Sequence, residues 1–465
     1  KIDLIVSLKY FFFLKYGIMM LIRFLFNMKN LVLNKKFYIY FFSIFAFTST
    51  IISFYLNINL SSINSYLQFN QFLLQYNIKA NDGGAVADLK THWDYIQLLR
   101  EDIVNLFVYE LGKDNKLLNY PLHHIIISQI PIIGSNLKVY LLSYFLLSLT
   151  LPIFFYKCLI IRFQYVEKIN LLGIASIIYI LPAFQYSAIW GNTHITALLF
   201  LLTSIYFHLK LEKLNYKVGK YFFCSLIFLA LAAYTKQFYI FLFPFILLVY
   251  FQNTSFFFFF KILLFCLIIA LPGIFFLINN PLLFIGLQSK HLDITNFSSS
   301  VLIISSMVFL YTAPIFIQYL LNNFNKDNFV KLFNFKQIIL VIFIFLLLNS
   351  SFYYNGLLGG GVIYKISNTI LSTNLFFLIC SFFGLFLIIF YSKNSMSNRL
   401  LSLLLLITFS TGIFIFQKYL EPMFWILFFL FFDYKKIEES ISKNNLSIIL
   451  YFSIYYIGLN LYIKF

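Results

Sequence analysis

The sequence predicts an all-α polytopic membrane protein with about 12–13 transmembrane helices and a long structured first outer loop containing amphipathic helices. Three observations predict it. Of 465 residues, 61% are hydrophobic and only 11% charged, whereas a soluble domain is roughly a quarter charged. Apolar runs of about 20 residues, the length needed to cross a bilayer, recur from end to end. These runs do not alternate polar with apolar, as strands of an outer-membrane barrel would. A cytosolic enzyme, a disordered chain and a secreted disulfide scaffold are thereby excluded.

Residues 1–27 are apolar but carry Lys9, Lys15 and Arg23 inside the run. A charge at a helix centre costs about 2.5–3.5 kcal/mol, so no span is expected there. Met28, followed by Lys29, Lys35 and Lys36, reads as a natural start, which leaves residues 1–27 as an over-extended reading frame or an interfacial segment within an N-terminal segment, 1–36. From Phe37 the expected spans are 37–57, 138–160, 169–188, 193–209, 220–234, 237–251, 256–278, 300–321, 337–353, 369–391, 400–416, 422–433 and 446–464. Two of them, 237–251 and 422–433, are short, and short or interrupted spans can mark a site or a mere bend. Residues 434–465 form an inner loop and the last span.

The net charge is +18, from 34 Lys+Arg against 16 Asp+Glu. In a soluble protein this would raise nucleic acid as a partner. Here the cations stand at the ends of apolar spans and set orientation in the bilayer, so no nucleic acid is expected. With Lys29, Lys35 and Lys36 inside and sides alternating, the inside segments hold 19 Lys/Arg and 6 acids, the outside segments 11 and 9. Merging 220–251 into one span would flip every later loop and put Lys326, Lys331 and Lys336 outside. The charge bias therefore requires a break at Thr235-Lys236-Gln237. Cys158, Cys224, Cys266 and Cys380 are scattered singly and read as packing residues.

The only long hydrophilic stretch, 58–137, falls outside and carries Asp82, Asp88, Asp94, Glu101, Asp102, Glu110 and Asp114. Within it, Trp93, Ile96, Leu99, Ile103, Leu106 and Phe107 repeat at helical spacing, predicting an amphipathic helix over 92–110 that rests on the membrane surface. Asn119-Tyr120-Pro121 breaks it, and 122–132 resumes an apolar run. A connector of this length is expected to be functional. The same side receives Trp190-Gly191-Asn192-Thr193-His194, Thr235-Lys236-Gln237, Lys290-His291-Leu292-Asp293, Gly359-Gly360-Gly361 and Gln417 to Pro422.

Each cluster also has a plain structural reading. Asp82 and Asp94 can be solvated, and Asp88 can cap the helix that follows it. His123 and His124 can be interfacial, and a tandem pair points to different helix faces, a poor metal site. Lys236 and Lys418 can anchor at the headgroup level. The three glycines can be a flexible loop; they lack the Lys-Ser/Thr ending of a phosphate loop.

The order of these pieces resembles the GT-C superfamily of integral-membrane glycosyltransferases, which use polyprenyl-phosphate sugars. That family places a catalytic Asp in the first outer loop, then an amphipathic helix, then a Pro-containing turn. The matching pieces are Asp88-Leu89-Lys90-Thr91-His92-Trp93-Asp94-Tyr95, residues 92–110, and Asn119-Tyr120-Pro121-Leu122-His123-His124. Protein mannosyltransferases and aminoarabinose transferases have Lys-Pro-Pro-Leu at that turn; Asn119 and Tyr120 stand in its first two places. Three later pieces are similar to the dolichyl-phosphate-glucose α-1,2-glucosyltransferases. Asn192-Thr193-His194 stands where they have Tyr-Thr-Asp, Lys236-Gln237 where they have Arg-Gln, and Lys418-Tyr419 with Pro422 where they have Arg-Tyr and a following Pro.

The resemblance covers 37–433, which it implies is the catalytic region. It implies transfer of a sugar from a polyprenyl-phosphate donor to a glycan, lipid or protein acceptor, on the outer face of what would be a bacterial plasma membrane. Asp88 would take the proton of the attacking hydroxyl. Lys236, Lys418 and Lys290 would neutralise the departing phosphate. His194 would hold a sugar, and His92, Asp94, His123, Gln237 and Tyr419 would complete the substrate site. A divalent cation (Mg or Mn) on Asp88 is conceivable, but no spacing demands it. The alternatives are a polymerase or ligase, or a transporter, of lipid-linked saccharides. A transporter would favour charges at mid-membrane and a repeat between halves, and the sequence has neither.

Overall fold

The computed structural model describes residues 35–59, 79–80, 83–103, 121–217, 219–279, 296–323, 335–354, 359–392, 395–408, 415–442 and 445–462. Apart from one pair of two-residue strands, every regular element among them is helical. The expected start at Met28, together with Asp82, Asn119, Tyr120 and Lys290, lies outside the described residues.

Helix α1 (Lys35–Asn57) leads into β1 (Ile58–Asn59), which pairs antiparallel with β2 (Lys79–Ala80). Then come α2 (Gly83–Glu101), α3 (Leu122–Ser128) and α4 (Pro131–Gly134). The next five are α5 (Leu137–Ser148), α6 (Leu151–Arg162), α7 (Lys168–Ile180), α8 (Pro182–Ile189) and α9 (His194–Lys213). Helix α10 (Gly219–Thr235), a 3-10 turn (Gln237–Phe241), α11 (Leu242–Asn253), α12 (Phe256–Asn279) and α13 (Phe297–Asn322) follow. The chain continues through α14 (Phe335–Ser350), α15 (Gly361–Thr369), α16 (Leu375–Ser392) and α17 (Met396–Thr408). It finishes with α18 (Gln417–Leu420), α19 (Met423–Phe431), α20 (Tyr434–Ser442) and α21 (Leu446–Tyr462).

Each of the thirteen apolar runs contains a helix or a broken pair of helices among the described residues, as an all-α polytopic protein requires. Among the described residues, six stretches are long and apolar enough to cross a membrane on their own, or seven if one bent pair counts as a single crossing. Part of the difference from thirteen arises where the backbone breaks, and the rest where the described helix is short, as in α14, α17, α19 and α21. Proline lacks an N–H and disfavours a helical residue before it. Leu181, before Pro182, is extended (φ −68°, ψ 123°), and α7 and α8 meet at 60°. Lys236 is extended too (φ −144°, ψ 110°), so the break required by the charge bias is present at Thr235-Lys236-Gln237.

Of the six long apolar stretches the most enclosed is α13, with 83% of its apolar window buried, against 11% for α12 at the periphery. Small residues let α13 approach α16 closely. A Cβ on Gly384 would sit 1.7 Å from the Ser305 carbonyl oxygen. Beside it, the Ser381 hydroxyl donates to the Leu302 carbonyl at 2.9 Å. Helix α1 packs on α7, where Thr50 donates to the Tyr179 carbonyl at 2.7 Å.

The described elements between α1 and α5 form a cap on the bundle. Helix α2 starts at Gly83, not at 92, because Ala85-Val86-Ala87 carry the helix upstream to the Gly83-Gly84 break. Asp88 consequently lies inside the helix and is not its N-cap. The apolar stripe Leu89, Trp93, Ile96 and Leu99 is fully buried, in part against α3 and α4, so this face rests on protein and is not left for lipid. Gln97 fixes the packing by donating to the Gly134 carbonyl at 2.7 Å. The second half of the expected 92–110 helix, beyond Ile103, lies outside the described residues.

Candidate functional site

The stripe of α2 next to its buried one carries Asp88, Thr91, His92 and Tyr95, spaced to share one face. They line a cavity of about 160 Å³ together with His124, Asn192, His194, Lys236, Lys418 and Tyr419. Six of the ten residues singled out from the sequence meet here: Asp88, His92, His194, Lys236, Lys418 and Tyr419. His123 stands just behind the wall, and Gln237 follows Lys236 without lining the cavity. Asp94 points elsewhere; 47% exposed, it pairs with Lys90 of its own helix at 2.5 Å.

Asp88, 36% exposed, is held from three directions. Lys418 Nζ of α18 lies 2.5 Å from its Oδ2. The Tyr186 hydroxyl of α8 donates to the same oxygen at 2.9 Å, and the Asn192 amide at 3.4 Å. Among the described residues Oδ1 receives no hydrogen bond. The Lys418 ammonium also lies over the rings of Tyr186, Phe416 and Tyr419, at 5.1, 5.4 and 5.9 Å from their centroids. Such faces attract a cation electrostatically.

Lys236 is only 6% exposed. Burial pushes its ammonium down to about 7; Lys418 lowers it further and Asp88 raises it. Desolvation disfavours the charged form, and a like charge adds to the cost.

Four histidines surround this lysine. His92 Nδ1 and His124 Nε2 are 3.0 Å apart. His123 turns the other way, its Nδ1 2.9 Å from the Thr196 hydroxyl and its Nε2 3.2 Å from the Tyr140 hydroxyl. Tyr140 spends its proton on the Gly191 carbonyl at 2.6 Å, so His123 donates through Nε2 and accepts at Nδ1. Burial holds His92, His123 and His124 below the ordinary imidazole range, His123 at about 3, and Lys236 adds to each. These rings are neutral near pH 7.

The turn between α8 and α9 brings Asn192 and His194 to the wall. Gly191 has φ +62°, and a Cβ there would meet the Tyr140 ring at 2.7 Å, so glycine is required. Tyr144 donates to the Asn192 carbonyl. His194, 3% exposed, packs against the rings of Phe238 and Tyr419, with centroids at 5.9 and 5.5 Å. Its Nε2 has no hydrogen-bond partner among the described residues, and neither has His124 Nδ1. Burial pushes Tyr95 and Tyr419 up to about 12, so both keep their protons.

The helix bearing Lys418 is anchored by Glu421 and Gln417. Glu421 accepts from the Tyr311 hydroxyl, from Gln417 Nε2 at 2.7 Å and from the Ala183 N–H at 3.3 Å. Burial raises its carboxyl, and those bonds draw it back. Gln417 in turn accepts from the Val362 N–H at 3.2 Å. The three glycines are no loose loop. Gly359, Gly360 and Gly361 have φ of +78°, +81° and +74°, and Gly360 donates to the Ile415 carbonyl at 3.0 Å, just before α18.

Among the described residues no three His, Cys, Asp or Glu side chains gather as a metal site. An ammonium 2.5 Å from Asp88 Oδ2 stands where a cation on that oxygen would sit, so the donor set does not fit a resident divalent ion. What the cavity offers is one carboxylate oxygen open to a proton, the Lys418 ammonium, a Lys236 side chain that an arriving anion would hold in its charged form, neutral imidazoles and phenol hydroxyls. Compared with known proteins, the chain matches no family model, no curated protein and no solved structure.

Proposed function

We propose that this protein is a glycosyltransferase of GT-C type. It would move a sugar from a polyprenyl-phosphate donor to a glycan, lipid or protein acceptor. The observation that carries this reading is one carboxylate and two lysines, from segments up to 330 residues apart, at one half-buried cavity. In this reading the shorter helices also cross, giving 12–13 spans in a bacterial plasma membrane, with the cavity on the outer face.

The chemistry asks little more of the protein. The donor's lipid tail stays in the bilayer and its phosphate reaches Lys418 and Lys236. The acceptor hydroxyl attacks the anomeric carbon while Asp88 Oδ1 takes its proton. The bond to phosphate breaks, and the two ammonium groups stabilise the charge that develops there. His194 and Tyr419 hold the sugar. The test is to incubate membranes with radiolabelled polyprenyl-phosphate hexoses and follow the label. Label should move with the native chain, and Asp88→Asn should slow it by at least about a hundredfold, within the usual worth of a general base. Asp94→Asn should change it little. Native-like transfer by Asp88→Asn would remove this mechanism.

A further inference from the structure

Lys418, Tyr186 and Asn192 come from three elements, α18, α8 and the turn before α9, and none belongs to the cap. Their ammonium, hydroxyl and amide converge on a single oxygen, Asp88 Oδ2. Such a set recognises an oxyanion: a charge-assisted bond with two neutral donors around it. The residue that fills it is brought in from outside by α2. The cavity-lining residues include two lysines against one aspartate, and Lys236 is almost wholly buried. Buried like charges are costly unless an anion is shared between them. A second observation points the same way. His194 Nε2 and His124 Nδ1, on two buried rings of the cavity wall, have no partner among the described residues.

We propose that Lys418, Tyr186, Asn192 and Lys236 form a phosphate site, and that the Asp88 carboxylate is its built-in competitor, occupying the place of a phosphate oxygen. This deepens the reading of the cavity as a donor site. Binding of the phosphate draws Lys418 off Asp88 and frees that carboxylate for the acceptor's proton, so the phosphate ligand enters before the acceptor. Removing the carboxylate's charge should then tighten binding, although it removes the base. The two effects have opposite signs in one variant.

The experiment measures binding to the purified full-length chain in detergent, without turnover, using polyprenyl monophosphate and, separately, inorganic phosphate. Asp88→Asn should bind polyprenyl monophosphate about fivefold or more tightly than the native chain, a typical coupling between two ligands of one site. Lys418→Gln should lose most of the affinity, and adding Asp88→Asn to it should restore none. Tightening for both probes assigns the site to the phosphate itself, and tightening for the lipid probe alone assigns it to a lipid headgroup. Unchanged or weaker binding of both probes to an Asp88→Asn chain that still unfolds at the native temperature would overturn the proposal. Tightening in Asp88→Asn, with no sugar transfer by the native chain, would leave this site standing and remove the glycosyltransferase reading.

Discussion

Helix α9 begins with His194 and carries His208 near its other end, roughly 21 Å away along the axis. The two ends treat their histidines in opposite ways. At the His208 end the ring stacks on Tyr250, with Phe431 edge-on, at centroid distances of 5.7 and 5.5 Å. Nearby, Arg162 Nη1 donates to both oxygens of Glu212 at 3.0 Å, and its guanidinium lies over Tyr434. At the His194 end the ring Nε2 has no hydrogen-bond partner among the described residues, Lys418 pairs with Asp88 beside the buried Lys236, and the side chains line a cavity. One end is packed for stability. The other keeps polar groups together without closing over them, and such arrangements are where ligand sites are sought.

After the loss of Asp88 itself, the largest effects expected from this contrast concern the lysines. Lys236→Gln and Lys418→Gln should each lower kcat/KM for a lipid-phosphate donor by about 2–3 kcal/mol, the scale of a lost charge-assisted contact. His208→Ala should leave donor kinetics alone and cost about 2–4 kcal/mol of stability through the hole it leaves. Steady-state kinetics beside thermal unfolding separates the two ends. Native donor kinetics in both lysine variants would reduce them to headgroup anchors.

A smaller effect concerns pH. His92, His123 and His124 sit in the cap with imidazoles held below their ordinary range by burial. In the unfolded chain each takes a proton as pH falls through about 6.5, while in the folded chain His123 does so only near 3. The unfolded state therefore binds more protons across that window, and stability present above 6.5 declines as pH falls. The unfolding temperature of the purified protein should drop between pH 6.5 and 5, and His124→Gln should flatten that slope. An unchanged slope in the variant would count against a neutral, buried cluster.

Much of the fold is legible in the sequence. Hydropathy locates the apolar helices, and the Lys/Arg asymmetry locates the break at Lys236. What hydropathy does not encode is how a run of apolar residues is cut. Leu151-Pro152 and Leu181-Pro182 look apolar throughout, yet Pro182 bends its run by 60° and leaves pieces too short to cross alone. The site was legible where it used charge or an unusual polar residue among apolar ones, as with Asp88, His194, Lys236 and Lys418. Tyr186 escaped because a tyrosine in an apolar run is indistinguishable from packing. The role of Glu421 escaped because nothing local says that its partners are Tyr311 and Ala183, 110 and 238 residues away. The register of α2 was misjudged because Gly83-Gly84 is a weaker boundary signal than the Trp93, Ile96, Leu99 repeat.

The central claim is that this cavity receives a lipid-linked phosphate at the outer membrane face. Thr91 is exposed, lines the cavity and takes part in none of the proposed chemistry. With the four native cysteines replaced by Ala, Thr91→Cys should react with an impermeant maleimide in intact cells. Added polyprenyl-phosphate sugar should slow that reaction. Labelling that requires permeabilised cells, or that proceeds undiminished with the donor present, would contradict the claim.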